Sequence, residues 1–339
     1  MNTKIVYVLV SSPDDIYLEQ AYVSMCSVRR WMPGAHITLL TDGLTADTLT
    51  GIREREIRFA DEIVTVSLDG QKWNAQQRSR QLKTSVRNRI DGDLLFIDCD
   101  TIVARPLDEI DENTSMIAAA RDTHSALADN PYREGIILHG HRLGWAVEKE
   151  KDYFNSGIIY VKDVPLAHEF YSRWNENLNN GYPMRVFQDQ PAFAKTNYEM
   201  GHVVEHLPDT WNCELRHGIR YLKDAYVVHY LCTSPTHNKN RQLFVLNEAE
   251  TLMEVKRTGE ISEQLLEVIE DPFKGLAETT CCMAGEDVFF TQSQSFFFLR
   301  KHFCRGKHSM PDKMLLMMEK TTKIPGKLQK MLGMKVSEK

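Results

Sequence analysis

The chain has 339 residues, 26% of them charged and 42% hydrophobic, the make-up of an ordinary soluble globular protein. That length accommodates one large α/β domain with a tail, or two domains. No run approaches the roughly 18 consecutive apolar residues of a membrane span, and the opening "MNTKIVYVLVSS" reads as a first strand rather than a signal peptide. The seven cysteines are scattered and lack zinc-ligand spacing, so a reduced, cytoplasmic setting is expected. Charge is uneven. Eleven Lys or Arg against three acids give residues 300–339 a charge of +8; the whole chain carries −6, so residues 1–299 carry −14. A basic appendage on an acidic body is expected.

In chain order, "KIVYVLVSS" from Lys4 suits a central parallel strand. Pro13-Asp14-Asp15 turns the chain into "YLEQAYVSMCSVRRW", where Leu18, Ala21, Tyr22, Met25 and Val28 recur at helical spacing. Pro33-Gly34 ends that helix, and "HITLLTD" is a second strand. Residues 45–56 read as helix, "DEIVTVSL" as a third strand, 75–90 as a helix with Leu82, Val86 and Ile90 on one face, and 94–97 as a fourth strand. This alternation predicts βαβ units, a doubly wound first hundred residues and a mostly parallel sheet. "SMIAAAR" is another strand, but 121–152 has weak periodicity and reads as a long loop. "FNSGIIYVK" is a strand, helices follow near 165–179 and 187–197, and "DAYVVHYL" is the last strand. From residue 246 the pattern is helical without further sheet, so the domains are expected at 1–245 and 246–339.

"LLFIDCDTIV", residues 94–103, ends an apolar strand in two carboxylates. Ligands of open α/β sheets sit at that carboxyl edge. By the two-residue period Asp98 and Asp100 share a face and Cys99 points away. Two acids so placed need a cation or strong donors; hard oxygen ligands suit Mg²⁺ or Mn²⁺, which then binds phosphate. The plainer reading is a solvated turn in which Asp caps backbone amides. The motif also resembles the nucleophile of haloacid dehalogenase-like phosphatases, in which Asp98 would be phosphorylated and Asp100 would be the acid/base. That motif normally ends a first strand, however, and here three strands precede it.

Further along stand "YFNSGIIYVK", "FQDQPAF", "LPDTWN" and "VVHYL". With "LFIDCDTIV", this order resembles the GT-A glycosyltransferases, most closely glycosyltransferase family 8, the glycogenin and lipopolysaccharide galactosyltransferase group. The resemblance covers residues 4 to about 232. It implies a GT-A fold, Rossmann-like with flanking helices, followed by a helical, basic C-terminal region. It implies a metal on Asp98, Asp100 and His229, Mn²⁺ or Mg²⁺, bridging the donor diphosphate, with Cys99 between the acids at the donor. Val10, Ser11 and Tyr17 would cradle the nucleoside, although Tyr17 could equally pack in the core. Arg80 or Lys83 would face donor sugar and phosphates, unless both lie on a solvated face. Asn155, Ser156, Asp189 and Gln190 would contact the transferred sugar, Gln190 beside the anomeric carbon. "QDQ" could also cap a helix. Asn212 matches an Asn that often lines the acceptor side. One departure is clear: the family's G-x-K-P-W after the metal His is replaced by "HYLCTSPTHNKN", leaving His237 or Lys239 to reach the β-phosphate.

The implied activity is metal-dependent hexose transfer from a UDP-sugar to a glycan or lipid-linked acceptor, with retention, in surface polysaccharide or lipopolysaccharide synthesis. A nucleotide-sugar-binding protein without catalysis is the alternative left by the missing G-x-K-P-W. After the aromatic stretch Phe289, Phe290, Phe296, Phe297, Phe298 and Phe303, the lysines interleave with Met and Leu. Such basic amphipathic segments are expected on an anionic membrane, and the resemblance implies its inner face; the other reading docks the phenylalanines on the catalytic domain and leaves the rest a solvated end. The acidic body and the lack of a binding motif argue against nucleic acid.

Overall fold

A computed structural model describes residues 1–68, 72–231 and 244–276, together with 289 and 293–296. Ten strands can be followed among the described residues: β1 (Lys4–Leu9), β2 (Ile37–Asp42), β3 (Glu62–Val66), β4 (Leu94–Ile97), β5 (Thr101–Val103), β6 (Ile117–Arg121), β7 (Phe154–Val161), β8 (Val204–His206), β9 (Cys213–Glu214) and β10 (Val227–His229). Seven form one sheet in the order β3-β2-β1-β4-β7-β6-β8. The half from β3 to β4 is parallel throughout. β7 then runs antiparallel to both β4 and β6, and β8 is parallel to β6. β5, β10 and β9 make a second, small sheet.

The main sheet is buried on both faces, and the period-2 rule sorts its side chains. Val6 and Val8 of β1, Leu94 and Phe96 of β4, and Ile159 and Val161 of β7 enter one apolar cluster. Ile5, Tyr7 and Leu9, with Leu95, Ile97, Ile158 and Tyr160, enter the other. Helix α1 (Tyr17–Trp31) covers the second cluster with Leu18, Ala21, Met25 and Val28. The helices α2 (Gly43–Ala46), α3 (Ile52–Arg55), α4 (Ala75–Lys83) and α5 (Arg133–Arg142) follow in chain order. α6 (Pro165–Gly181) and α7 (Asp189–Glu199) cover the first cluster, where Phe170 and Trp174 pack edge-on against Phe193. Burying each such aromatic side chain contributes roughly 2–3 kcal/mol.

α8 (Ala249–Thr258) and α9 (Glu263–Glu270) close on the outer side of α1, where Leu252, Val255, Leu265 and Val268 share a cluster with Tyr22 and Val23. From Leu18 to Val28 α1 is therefore buried all round. The compact unit runs from Met1 to Cys282, so residue 246 lies inside it rather than at a division. Met283–Lys339 form a second unit. The basic segment 300–339 lies outside the described residues. No helix among the described residues is long and apolar enough to cross a membrane.

Three expectations change. Residues 45–56 are not one helix: α2 and α3 are single turns, separated where Gly51 adopts φ 63°. The helix expected over 75–90 stops at Lys83 and resumes as a 3-10 turn, Val86–Asn88, although Leu82, Val86 and Ile90 are buried as the spacing required. The stretch 121–152 is not a loop. It holds α5 and several 3-10 turns around a cluster of Leu127, Ile136, Trp145, Val147 and Tyr153. These apolar residues are irregularly spaced because they meet through tertiary contact, which hid them from periodicity.

Candidate functional site

After Ile97 the chain leaves β4, turns through Asp98-Cys99-Asp100 and enters β5. β5 pairs antiparallel with β10, with Thr101 opposite His229, and this register carries the imidazole to the acidic turn. One ligand atom from each of Asp98, Asp100 and His229 lies within 4.8 Å of the others. His229 Nε2 is 3.2 Å from Asp100 Oδ1, and Nδ1 is 2.9 Å from Asn212 Oδ1. An amide oxygen only accepts, so Nδ1 carries a proton, and in the neutral ring the Nε2 lone pair faces the acids. Burial pushes the Asp98 carboxyl up to about 6; Lys83 pulls it back and Asp100 pushes it further. Two carboxylates and an imidazole suit Mn²⁺ or Mg²⁺. Gly157 completes the fit: a Cβ there would lie 2.5 Å from His229 Cε1 and 3.0 Å from Asp98 Oδ2, so only glycine lets β7 pass this close.

Two cations back the acids. Lys83 Nζ is 3.2 Å from both Asp98 carboxylate oxygens and 3.2 Å from Asp189 Oδ2, and sits 5.0 Å over the Phe96 ring. Arg80 Nε lies 3.7 Å from Asp189 Oδ1. Their side chains are only 15% (Arg80) and 11% (Lys83) exposed, which rules out a solvated face. Burial would lower the Lys83 ammonium, but Asp189 and then Asp98 hold it above its ordinary value. Burial would likewise raise the Asp189 carboxyl, and Lys83 with Arg80 keep it low. Asp189 opens α7, where free N–H groups favour negative charge. Ser156 Oγ donates to its Oδ2 at 2.9 Å. Gln188, the residue before α7, makes no capping hydrogen bond with its side chain.

A chain of amides links these groups. Asn212 Nδ2 donates to Asn155 Oδ1 at 3.0 Å, and Asn155 Nδ2 reaches Asp122 Oδ1 at 3.4 Å. Gln190 Nε2 donates to the same Asp122 oxygen at 2.9 Å, and Asn130 Nδ2 to its other oxygen at 2.9 Å. Behind it, burial and then Asp122 push the Glu214 carboxyl well up, and Thr123 N donates to Glu214 Oε1.

No protein-family model matches the sequence, and no curated protein matches it. Solved structures do. The galactosyltransferase LgtC, in complex with donor and acceptor sugar analogues, has a TM-score of 0.50 at 15% identity, covering 78% of this chain and 99% of that one. An active-site mutant of LgtC gives 0.51 at 16%, covering 79% and 99%. The glycosyltransferase GlyE of Streptococcus pneumoniae TIGR4 gives 0.50 at 15%, covering 83% and 67%. The fold is GT-A.

Within this GT-A sheet, β1 and β4 are parallel neighbours, so Val10 and Ser11 leave the same edge as Asp98. Ser11 is buried, with its N–H on Thr45 Oγ1. Tyr17 is 40% exposed at the start of α1, so it is not a core residue. Cys99 turns its thiol to Val8 O. Asn212 is fully buried and orients His229, so it does not line an open acceptor surface. His237 and Lys239 lie outside the described residues. The site also contains Asp122, which the weak periodicity of 121–152 assigns to a loop. It follows β6 as Asp98 follows β4, and that shared place at a strand's carboxyl end was the available signal.

Proposed function

We propose that the chain transfers a hexose from a UDP-sugar to a glycan or lipid-linked acceptor, with retention, at Asp98, Asp100 and His229. The convergence of these three ligands beside Lys83 and Arg80 carries the reading. A bound Mn²⁺ or Mg²⁺ would supply Lewis-acid stabilisation of the departing diphosphate. Lys83 and Arg80 add fixed positive charge in a site shielded from water, where such charge is most effective. Val10, Ser11 and Tyr17 receive the nucleoside. Asn155, Ser156 and Asp189 hold sugar hydroxyls so that the acceptor meets the anomeric carbon in line. Gln190, fixed by Asp122, presents an amide, a poor nucleophile, which favours front-side transfer with the acceptor proton passing to the leaving phosphate. The acceptor is built into surface glycan, and the segment 300–339 rests on anionic membrane at its inner face.

The test is UDP release from a panel of UDP-sugars, glucose and galactose first, with Mn²⁺ or EDTA. Wild type should turn over only with metal. Asp98→Ala and Asp100→Ala should each abolish turnover while melting cooperatively. Full activity of both variants in EDTA would end the proposal, and metal-dependent UDP binding without turnover on any acceptor or water would favour a non-catalytic binding protein.

A further inference from the structure

The helix that brings Arg80 and Lys83 to the acids has a second face. Gln81, Thr84, Ser85 and Asn88 recur at i, i+3, i+4 and i+7 along α4 and the 3-10 turn after it. With α6 opposite, they line a cleft of about 490 Å³, within the range of ligand sites. We propose that this cleft binds a neutral glycan.

Its chemistry narrows the ligand by elimination. No carboxylate, imidazole or thiol lines it, so it offers nothing to a metal ion. Arg89 is its one cation, too little charge for a nucleotide's phosphates or a polyanion. Its apolar lining is limited to Leu68, Trp73 and the ring of Tyr171, too little to cover a lipid chain. A ligand bearing many neutral hydroxyls on a ring with an apolar face remains, and that is a sugar.

The polar groups are held in place before any ligand arrives. Asn175 Nδ2 donates to Gln81 Oε1 at 2.9 Å and to Thr84 Oγ1 at 2.7 Å, and Gln81 Nε2 donates to Asn179 Oδ1. Asn88 Nδ2 donates to Ser172 Oγ at 3.0 Å, and Arg89 Nε to Ser85 Oγ at 2.9 Å. Such a lattice presents its remaining donors and lone pairs at little entropic cost. One group is left over. Tyr171 also lines the cleft, and its hydroxyl has no hydrogen-bond partner among the described residues, which leaves it free to meet a ligand hydroxyl. Half-buried Trp73 offers an indole surface on which the C–H face of a sugar ring can rest.

The proposal stands apart from the transfer reaction, and its test keeps them apart. Neutral di- to tetrasaccharides of glucose and of galactose are titrated into the full chain by isothermal calorimetry and saturation-transfer NMR, without metal or nucleotide. Saturable binding with a Kd on the order of 1 mM is expected for at least one of them. It should be unchanged in Asp98→Ala, and weakened about tenfold by Trp73→Ala and measurably by Tyr171→Phe, which removes a single oxygen and leaves the packing intact. Thermal melts of the variants show whether each is folded. Flat titrations with every sugar to about ten times that concentration would overturn the proposal. So would binding that survives both cleft substitutions, or binding lost in Asp98→Ala, which would belong to the transfer site instead.

Discussion

Lys83 is the counter-ion of two buried acids at once, Asp98 from the turn after β4 and Asp189 from the start of α7. Removing it leaves both carboxylates without their nearest cation, and breaking a buried pair costs far more than the intact pair contributes. Lys83→Met should therefore lower stability by about 3 kcal/mol. A divalent ion on Asp98 would replace part of the lost charge, so Mn²⁺ should raise the Tm of Lys83→Met more than that of wild type. Equal metal shifts in the two proteins would show that Lys83 does not share its carboxylate with the metal site. At this scale the acids were legible because two carboxylates ending an apolar strand need a cation or strong donors, whereas His229 was legible only through the order of motifs that carries the resemblance. The partnership of Lys83 with Asp189 was not, since the two stand far apart in sequence and meet only where the last residue of α4 comes to the first of α7. Asp122 escaped because nothing periodic surrounded it.

The helices after residue 246 act on the site's rim through α1. Lys256 of α8 donates to Asp15 O in the β1–α1 turn and lies 3.4 Å from Glu19, which is fully buried. Beside them Glu56 is also buried, and neither of its carboxylate oxygens has a hydrogen-bond partner among the described residues. Burial and then Glu19 push its carboxyl up to about 7, against the pull of Arg53 and Lys256. A native carboxyl that titrates near 7 and an unfolded one near 4.5 mean that the folded state binds more protons between those values. Stability is thus lost as pH rises from 4.5 to 7 and stays lost above. Glu56→Gln, unable to ionise, should gain roughly 1–3 kcal/mol over wild type at pH 8 and little at pH 4.5. Urea unfolding of both proteins across that range measures the difference; a gain independent of pH would mean that ionisation of Glu56 is not its source. Sequence pattern found these helices but not their attachment, because hydrophobic spacing on α8 says that a face is buried and not which helix buries it. The parallel strands were legible for the opposite reason: buried on both faces, they are apolar throughout.

Across the whole chain the dominant asymmetry is electrostatic: −14 over residues 1–299 and +8 over 300–339. An anionic surface repels the first and attracts the second, so it would orient the protein as well as hold it. Each basic residue near such a surface contributes about 1 kcal/mol, and the attraction fades beyond a Debye length. Deleting residues 305–339 removes nine Lys or Arg and three acids, most of the excess, and leaves 1–276 untouched. In flotation with vesicles of mixed neutral and anionic lipid at low salt, the full chain should rise with the vesicles and the truncated chain should stay below. Added salt should release the full chain, and purely neutral vesicles should not carry it. UDP release into water should be the same for both forms, because the acids, Lys83 and His229 all lie in the part retained. Equal, salt-insensitive partitioning of the two proteins would remove the membrane from the proposal and leave the chemistry of the site where it stands.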